Sequence, residues 1–279
     1  MVKKREVIKE VRGQRAVDGA GVRLVRVLGL RDTTDFDPFL MLDSFDSSNY
    51  ADYLAGFPTH PHRGIETITY LISGKIEHQD SLGNKGIIHS GEAQWMTAGS
   101  GILHQEMPQA SDRMLGFQLW LNLPRDEKMA DPAYLDITAA QIGCKHGENA
   151  EIRVLSGRYE DVYGVTPRHI KATIYDVDLD AGTQLTLPVD SAENAFVFLI
   201  EGDAVIDGRR IPEKTAVLFG DGDTITVAAP EERAARFILC SGRPLREPIA
   251  WGGPIVMNTE TELNAAFEEL RQGTFIKHG

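Results

Sequence analysis

The chain has 279 residues, 42% hydrophobic and 25% charged, a composition that excludes wholesale disorder and leaves room for two ordinary domains. Its formal charge of −12, with no run of Lys and Arg interleaved with aromatics, disfavours direct nucleic-acid binding. No apolar stretch is long enough to cross a bilayer, and the basic start at Lys3, Lys4 and Arg5 leads into Glu6 rather than a signal core, so the expected location is cytoplasmic.

In chain order, short apolar runs punctuated by Gly, Asp and Pro predict a β-rich fold with little helix before the end. Strands are expected at 22–28, 38–42, 66–72, 75–80, 86–89, 93–97 and 117–123. In the last of these, Phe117, Leu119, Leu121 and Leu123 alternate with Gln118, Trp120 and Asn122, the pattern of a strand with one buried face. From Pro124 to Ala150 strand signals fade among Pro, Asp, Gly and charged residues, which predicts a connector. The expected domains are 1–140 and 141–279.

Strand patterns resume at 151–155, 170–179, 195–201, 204–206, 215–219, 224–228 and 235–240. Asp176, Asp178 and Asp180 alternate with Val177 and Leu179, so all three carboxylates are expected in water. Thirteen Asp and Glu fall between Asp176 and Glu232 against Arg209, Arg210 and Lys214, either a solvated surface or a docking face for a basic protein partner. Tyr70-Leu71-Ile72-Ser73-Gly74 resembles Phe198-Leu199-Ile200-Glu201-Gly202, an internal repeat. Aligning the two glycines sets Pro188, Asp190 and Asn194 opposite His60, His62 and Glu66, and Thr226 and Ala228 fall opposite His104 and Glu106. The second half therefore lacks imidazoles at the corresponding site.

Near the end, Thr259 with Glu262 reads as a capping box. Leu263, Ala266, Phe267 and Leu270 form one apolar face and Gly273 is the stop, giving a helix over about 259–272. Cys144 and Cys240 lack CxxC spacing and read as reduced thiols rather than a bridge or a metal site.

Chemistry concentrates between Phe57 and Met107. Read as strands, the HPH at 60–62 and the HQE at 104–106 each put two potential ligands on one face, so three imidazoles and a carboxylate can converge on one metal ion. Pro61 has no N–H and implies an edge or irregular strand, while Gly64, Gly99 and Gly101 fit tight turns or close backbone approach. In a regular strand Glu66 shares the face of His60 and His62, so periodicity does not choose between Glu66 and Glu106 as the carboxylate ligand. The other would accept a hydrogen bond from a ligand imidazole, or pair with Arg63 or Arg113. His78, His89, His146, His169 and His278 are read as ordinary surface or hydrogen-bonded residues. Nitrogen and oxygen ligands suit Fe(II), Mn(II), Ni(II), Cu(II) or Zn(II).

The segments FPTHPHRGIETITYLISGKIEHQDS and GEAQWMTAGSGILHQEM resemble the paired motifs of the cupins, and more closely those of the pirin family. The endings 117–124 and 251–258 share that resemblance. It implies an all-β bicupin, two antiparallel β-barrels with a short C-terminal helix, carrying metal only in the first barrel. It also implies an Fe(II) site with ligands His60, His62, His104 and Glu106, with Glu66 beside the site. The implied activity is a quercetin 2,3-dioxygenase-like opening of a flavonol or related enol by O₂, with Glu106 or Glu66 as general base. The alternatives are a non-enzymatic, redox-sensitive regulator of a protein partner, as pirin is in animal nuclei, and a structural bicupin with a vestigial site.

Overall fold

The computed structural model describes residues 2–278. It is built from antiparallel sheets and one terminal helix, the two-barrel cupin architecture expected. The chain divides into two compact units, but not at a single point. One unit takes the N-terminal residues through Gln14, Asp32–Pro38 and Ala140–Pro244; the other takes Arg15–Arg31, Phe39–Ala139 and the residues from Leu245 on. The contiguous partition into 1–140 and 141–279 therefore needs correction at both ends. Strand Val7–Arg12 adds to Thr215–Phe219 by backbone hydrogen bonds, while the terminal helix buries its apolar face in the unit that carries the histidines.

That histidine-bearing unit has a seven-stranded sheet in the order 133–137, 92–97, 65–73, 114–122, 39–47, 22–28, 14–18. Its four-stranded partner runs 57–62, 102–108, 75–80, 85–89. The other unit repeats the plan with seven and four strands around a core that includes Val197, Leu199, Val217, Ile225 and Phe237. Within the predicted connector lie two strands, Ala133–Ile137 on Glu92–Thr97 and Gly143–His146 on Ala150–Ser156. Each ends a seven-stranded sheet, where half-exposed polar side chains hide the alternation that a buried strand displays.

The pairing also corrects the internal alignment. His60 lies across from His104, and in the other unit Thr186 lies across from Thr226. Thr186, not Pro188, is the counterpart of His60, and the two threonine hydroxyls hydrogen-bond at 2.9 Å where the first unit places imidazoles. Asp176 also departs from expectation. It is fully buried, with both carboxylate oxygens accepting from Arg236 at 2.8 and 2.6 Å, whereas Asp178 is exposed. A bidentate guanidinium is what lets a carboxylate leave water at that position.

The helix Glu260–Gln272 starts at the Thr259–Glu262 capping box and stops at Gly273, whose φ is +71°. Leu263 and Ala266 are buried with Ala250, Ile255, Met257 and Phe275. The tail is tied to the histidine-bearing segment by Arg63, which follows His62 directly. Its guanidinium donates to the carbonyls of Ser100 (2.7 Å) and Phe275 (2.8 Å), pairs with Glu269 at 2.7 Å and stacks on the Phe275 ring 4.1 Å away. The alternatives of an Arg63 or Arg113 pairing with Glu66 or Glu106 are thus replaced by Arg63 with Glu269 and Arg113 with Asp46. Removing the buried guanidinium leaves the carbonyls of Ser100 and Phe275 without this donor and Glu269 with Lys277 alone. Arg63→Met is therefore expected to destabilise this unit by about 3 kcal/mol, read as a lower urea midpoint; an unchanged midpoint would show that the anchor is redundant.

Candidate metal centre

The strand Phe57–His62 is the outermost of the four-stranded sheet and pairs on one side only, with Ile102–Pro108, as the missing N–H of Pro61 requires. Direct pairing of His60 with His104 brings their imidazoles together, and His62 follows on the same face. Nε2 of His60 stands 3.1 Å from Nε2 of His62 and 3.0 Å from Nε2 of His104. Two ligands at right angles on an ion with metal–nitrogen bonds of about 2.1 Å would stand about 3.0 Å apart, so the three nitrogens fit a single cation.

The protonation pattern supports the same fit. Nδ1 of His60 faces the Pro58 carbonyl at 2.9 Å, and Nδ1 of His62 faces the Pro254 carbonyl at 3.0 Å. A carbonyl can only accept, so each Nδ1 carries a hydrogen, and in the neutral form each ring turns a bare Nε2 lone pair inward. Burial, with His60 nearby, pushes His62 down to about 3, and burial with the neighbouring His62, His60 and His78 holds His104 well below the ordinary range. Those two rings are neutral at pH 7, the form a metal takes. Nδ1 of His104 is buried with no hydrogen-bond partner.

Glu106 is buried and faces the same side as His104, but it lies outside the tight three-histidine group. Its Oε1 accepts from Thr69 Oγ1 (2.9 Å) and Gln94 Nε2 (2.5 Å), and Oε2 accepts from Gln118 Nε2 at 2.6 Å. A carboxylate has about four acceptor sites and three are used, which leaves one lone pair for a further partner. Glu66 is placed elsewhere. The chain turns at Gly64, with φ +76° and a notional Cβ 2.0 Å from the Val256 carbonyl oxygen, so one strand does not run from His60 to Glu66. Glu66 accepts from Thr97 at 2.7 Å, whereas Thr69, three residues on and thus on the opposite face, reaches Glu106.

Several residues at the site are not singled out by the sequence motifs. Gln118 and Trp120 occupy the polar face of the predicted alternation, yet that face borders a cavity rather than bulk water. The Trp120 indole donates to Gln118 Oε1 at 3.1 Å, which fixes the amide so that its nitrogen points at Glu106. His78, read as an ordinary histidine, is buried beside His104 with ring centroids 5.4 Å apart. It stacks on Tyr134 at 4.5 Å and reaches Asp80 at 3.3 Å. The cavity holds about 650 Å³, and His60, His62, Phe57, Met41, Trp120 and Trp251 line it. The two indoles lie 5.8 Å apart at 34°, offering flat apolar walls next to the histidines.

The pirin family model matches residues 21–121, and the model for the pirin C-terminal cupin domain matches 174–276. A pirin-like protein of Caulobacter vibrioides is 43% identical over 275 residues, covering 97% of this chain and 99% of its own. The chain belongs to the pirin family. Human pirin is 37% identical over 278 residues, covering 96% of this chain and 92% of its own. A crystal structure of a quercetin 2,3-dioxygenase from Acinetobacter baumannii superposes with a TM-score of 0.89 at 31% identity and 98% coverage of both chains. Membership makes this a two-domain cupin, and its three histidines could hold a metal ion.

Two outcomes test the centre. Metal-loaded His104→Ala should retain less than about a tenth of the wild-type metal content after desalting; equal content would remove the site. Metal-free protein should lose stability on acidification, because between about 6.5 and about 3 only the unfolded chain protonates residue 62. Above that window the residue contributes no pH dependence. From about pH 7 to about pH 4 the wild-type melting temperature should fall more steeply than that of His62→Gln; parallel slopes would refute the assignment.

Proposed function

We propose that this pirin-family chain is a metal-dependent oxygenase of the quercetin 2,3-dioxygenase type, acting on a flavonol or a related chelating enol. The observation carrying the proposal is the convergence of three Nε2 atoms, with His60 and His62 on the wall of an aromatic-lined cavity. The match to the Acinetobacter baumannii quercetin 2,3-dioxygenase over 98% of both chains supports the substrate class. His60, His62 and His104 would hold the cation, Fe(II) in the first instance, and Glu106 is the proposed fourth ligand through its remaining lone pair. When bound, the cation supplies Lewis acidity that favours the deprotonated form of a chelating enol.

The chain's own residues account for the rest. Trp120 and Trp251 present planar apolar surfaces to an aromatic ligand and exclude water from the histidines. Gln94, Gln118 and Thr69 hold the Glu106 carboxylate in place, and its one remaining lone pair either completes the ligand set or, where it is not on the cation, accepts the substrate hydroxyl proton. Glu66 is not proposed as the base, since its hydrogen bond to Thr97 lies on the other face of its strand.

The rival is a non-enzymatic regulator of a protein partner, and its support is the 37% identity to human pirin. Part of the acidic stretch is already engaged by basic residues of this chain. Asp203 and Glu232 bind Arg210, Asp207 binds Lys4 and Asp176 binds Arg236. The oxygenase is tested by oxygen uptake with quercetin on iron-loaded protein. One O₂ consumed and one CO released per flavonol is expected, with loss of at least about a hundredfold in rate in His60→Ala. Equal, background-level uptake by both proteins across several flavonols would refute it.

A further inference from the structure

Outside the barrel site, the described residues contain one other convergence of metal-ligating side chains, Cys144, His146 and Glu151, with one donor atom of each within 4.8 Å of the others. Cys144 and His146 lie two apart on Gly143–His146, the last strand of its seven-stranded sheet, and so share a face. Glu151 stands directly across from His146 on the neighbouring strand. Sequence patterns leave the thiol and the imidazole as unrelated surface groups. Pairing across the sheet edge brings the carboxylate to them.

We propose that Cys144, His146 and Glu151 form a second, surface-exposed site for a thiophilic divalent cation of the Zn(II) class. The distance from Cys144 Sγ to His146 Nε2 is 3.6 Å. A tetrahedral ion with bonds of about 2.3 Å to sulfur and about 2.05 Å to nitrogen separates those atoms by about 3.6 Å. Nδ1 of His146 lies 2.9 Å from Glu151 Oε2, so the carboxylate takes the Nδ1 hydrogen and leaves Nε2 as a lone pair directed at the sulfur. Sulfur with imidazole selects Zn(II) or Co(II) over Mg(II) or Ca(II), and a site at the sheet edge leaves the remaining positions to solvent. Arg153, across from Cys144, is engaged by Glu151 and by Asp176 at 3.6 Å, and Lys145 by Glu160 and Asp161. Binding exchanges the thiol hydrogen for the metal, and that proton leaves to solvent.

The two sites differ in one observable. His60, His62, His104 and Glu106 contain no sulfur, and Cys240 is buried in the core. A sulfur-to-cobalt charge-transfer band in the near ultraviolet therefore reports on Cys144 alone. Full-length protein, reduced and stripped of metal, would be titrated with Co(II) and then with Zn(II). The expected result is a saturating band in the wild type and in His104→Ala, abolished in Cys144→Ser, weakened at least about tenfold in apparent affinity in His146→Ala and displaced by Zn(II). A wild type without the band, a band surviving Cys144→Ser, or an unchanged midpoint in His146→Ala would overturn the proposal. The His104→Ala arm keeps this outcome separate from the fate of the barrel site.

Discussion

Three imidazole Nε2 atoms stand about the width of a cation apart, those of His60 and His62 with their Nδ1 hydrogens turned away to backbone carbonyls, and much of the first barrel works to maintain that arrangement. The Nδ1 hydrogens of His60 and His62 are committed to the carbonyls of Pro58 and Pro254, which in the neutral form leaves their two Nε2 lone pairs facing each other at 3.1 Å. Burial keeps His62 and His104 neutral, so the rings cannot escape the conflict by protonation at pH 7. Such preorganisation is stability given up locally, and a bound cation returns it.

The supports are spread along the chain. The Pro254 carbonyl comes from the C-terminal segment, nearly two hundred residues from the histidine it orients, and Arg63 fixes that segment through Phe275 and Glu269. Gly64 lets the backbone close on Val256 where any Cβ would collide. On the far side of the cluster, Gln94, Gln118 and Thr69 hold Glu106 while Trp120 fixes the orientation of Gln118. A site of this kind depends on neighbours that hold the metal-binding side chains in place as much as on those side chains.

The second barrel shows how little the fold itself commits a chain to metal chemistry. It has the same division into seven- and four-stranded sheets and the same cross-strand pairing, but Thr186 and Thr226 close the corresponding position with a hydrogen bond. Two hydroxyls satisfy each other, whereas in the first barrel His60 and His62 turn their Nδ1 hydrogens away to backbone carbonyls. The chemical difference between the barrels thus resides in a few side chains on shared geometry.

The amino-acid order alone determined the β-rich class, the repeat, the capped helix and the three-histidine cluster, because each rests on local periodicity or spacing: HPH and HQE alternate within single strands, and Thr259 with Glu262 spans one helical turn. The pirin resemblance added Glu106, which periodicity left level with Glu66. Tertiary structure decided what local order cannot carry. It moved Glu66 to the other face, since a turn at Gly64 resets strand alternation. It buried Asp176 against an arginine sixty residues away and gave the N-terminal strand to the second barrel and the terminal helix to the first. It also joined Cys144 and His146 to Glu151 across a sheet edge. Alternation along a strand is written in consecutive residues, but which strands lie side by side is set by burial and backbone pairing over the whole chain.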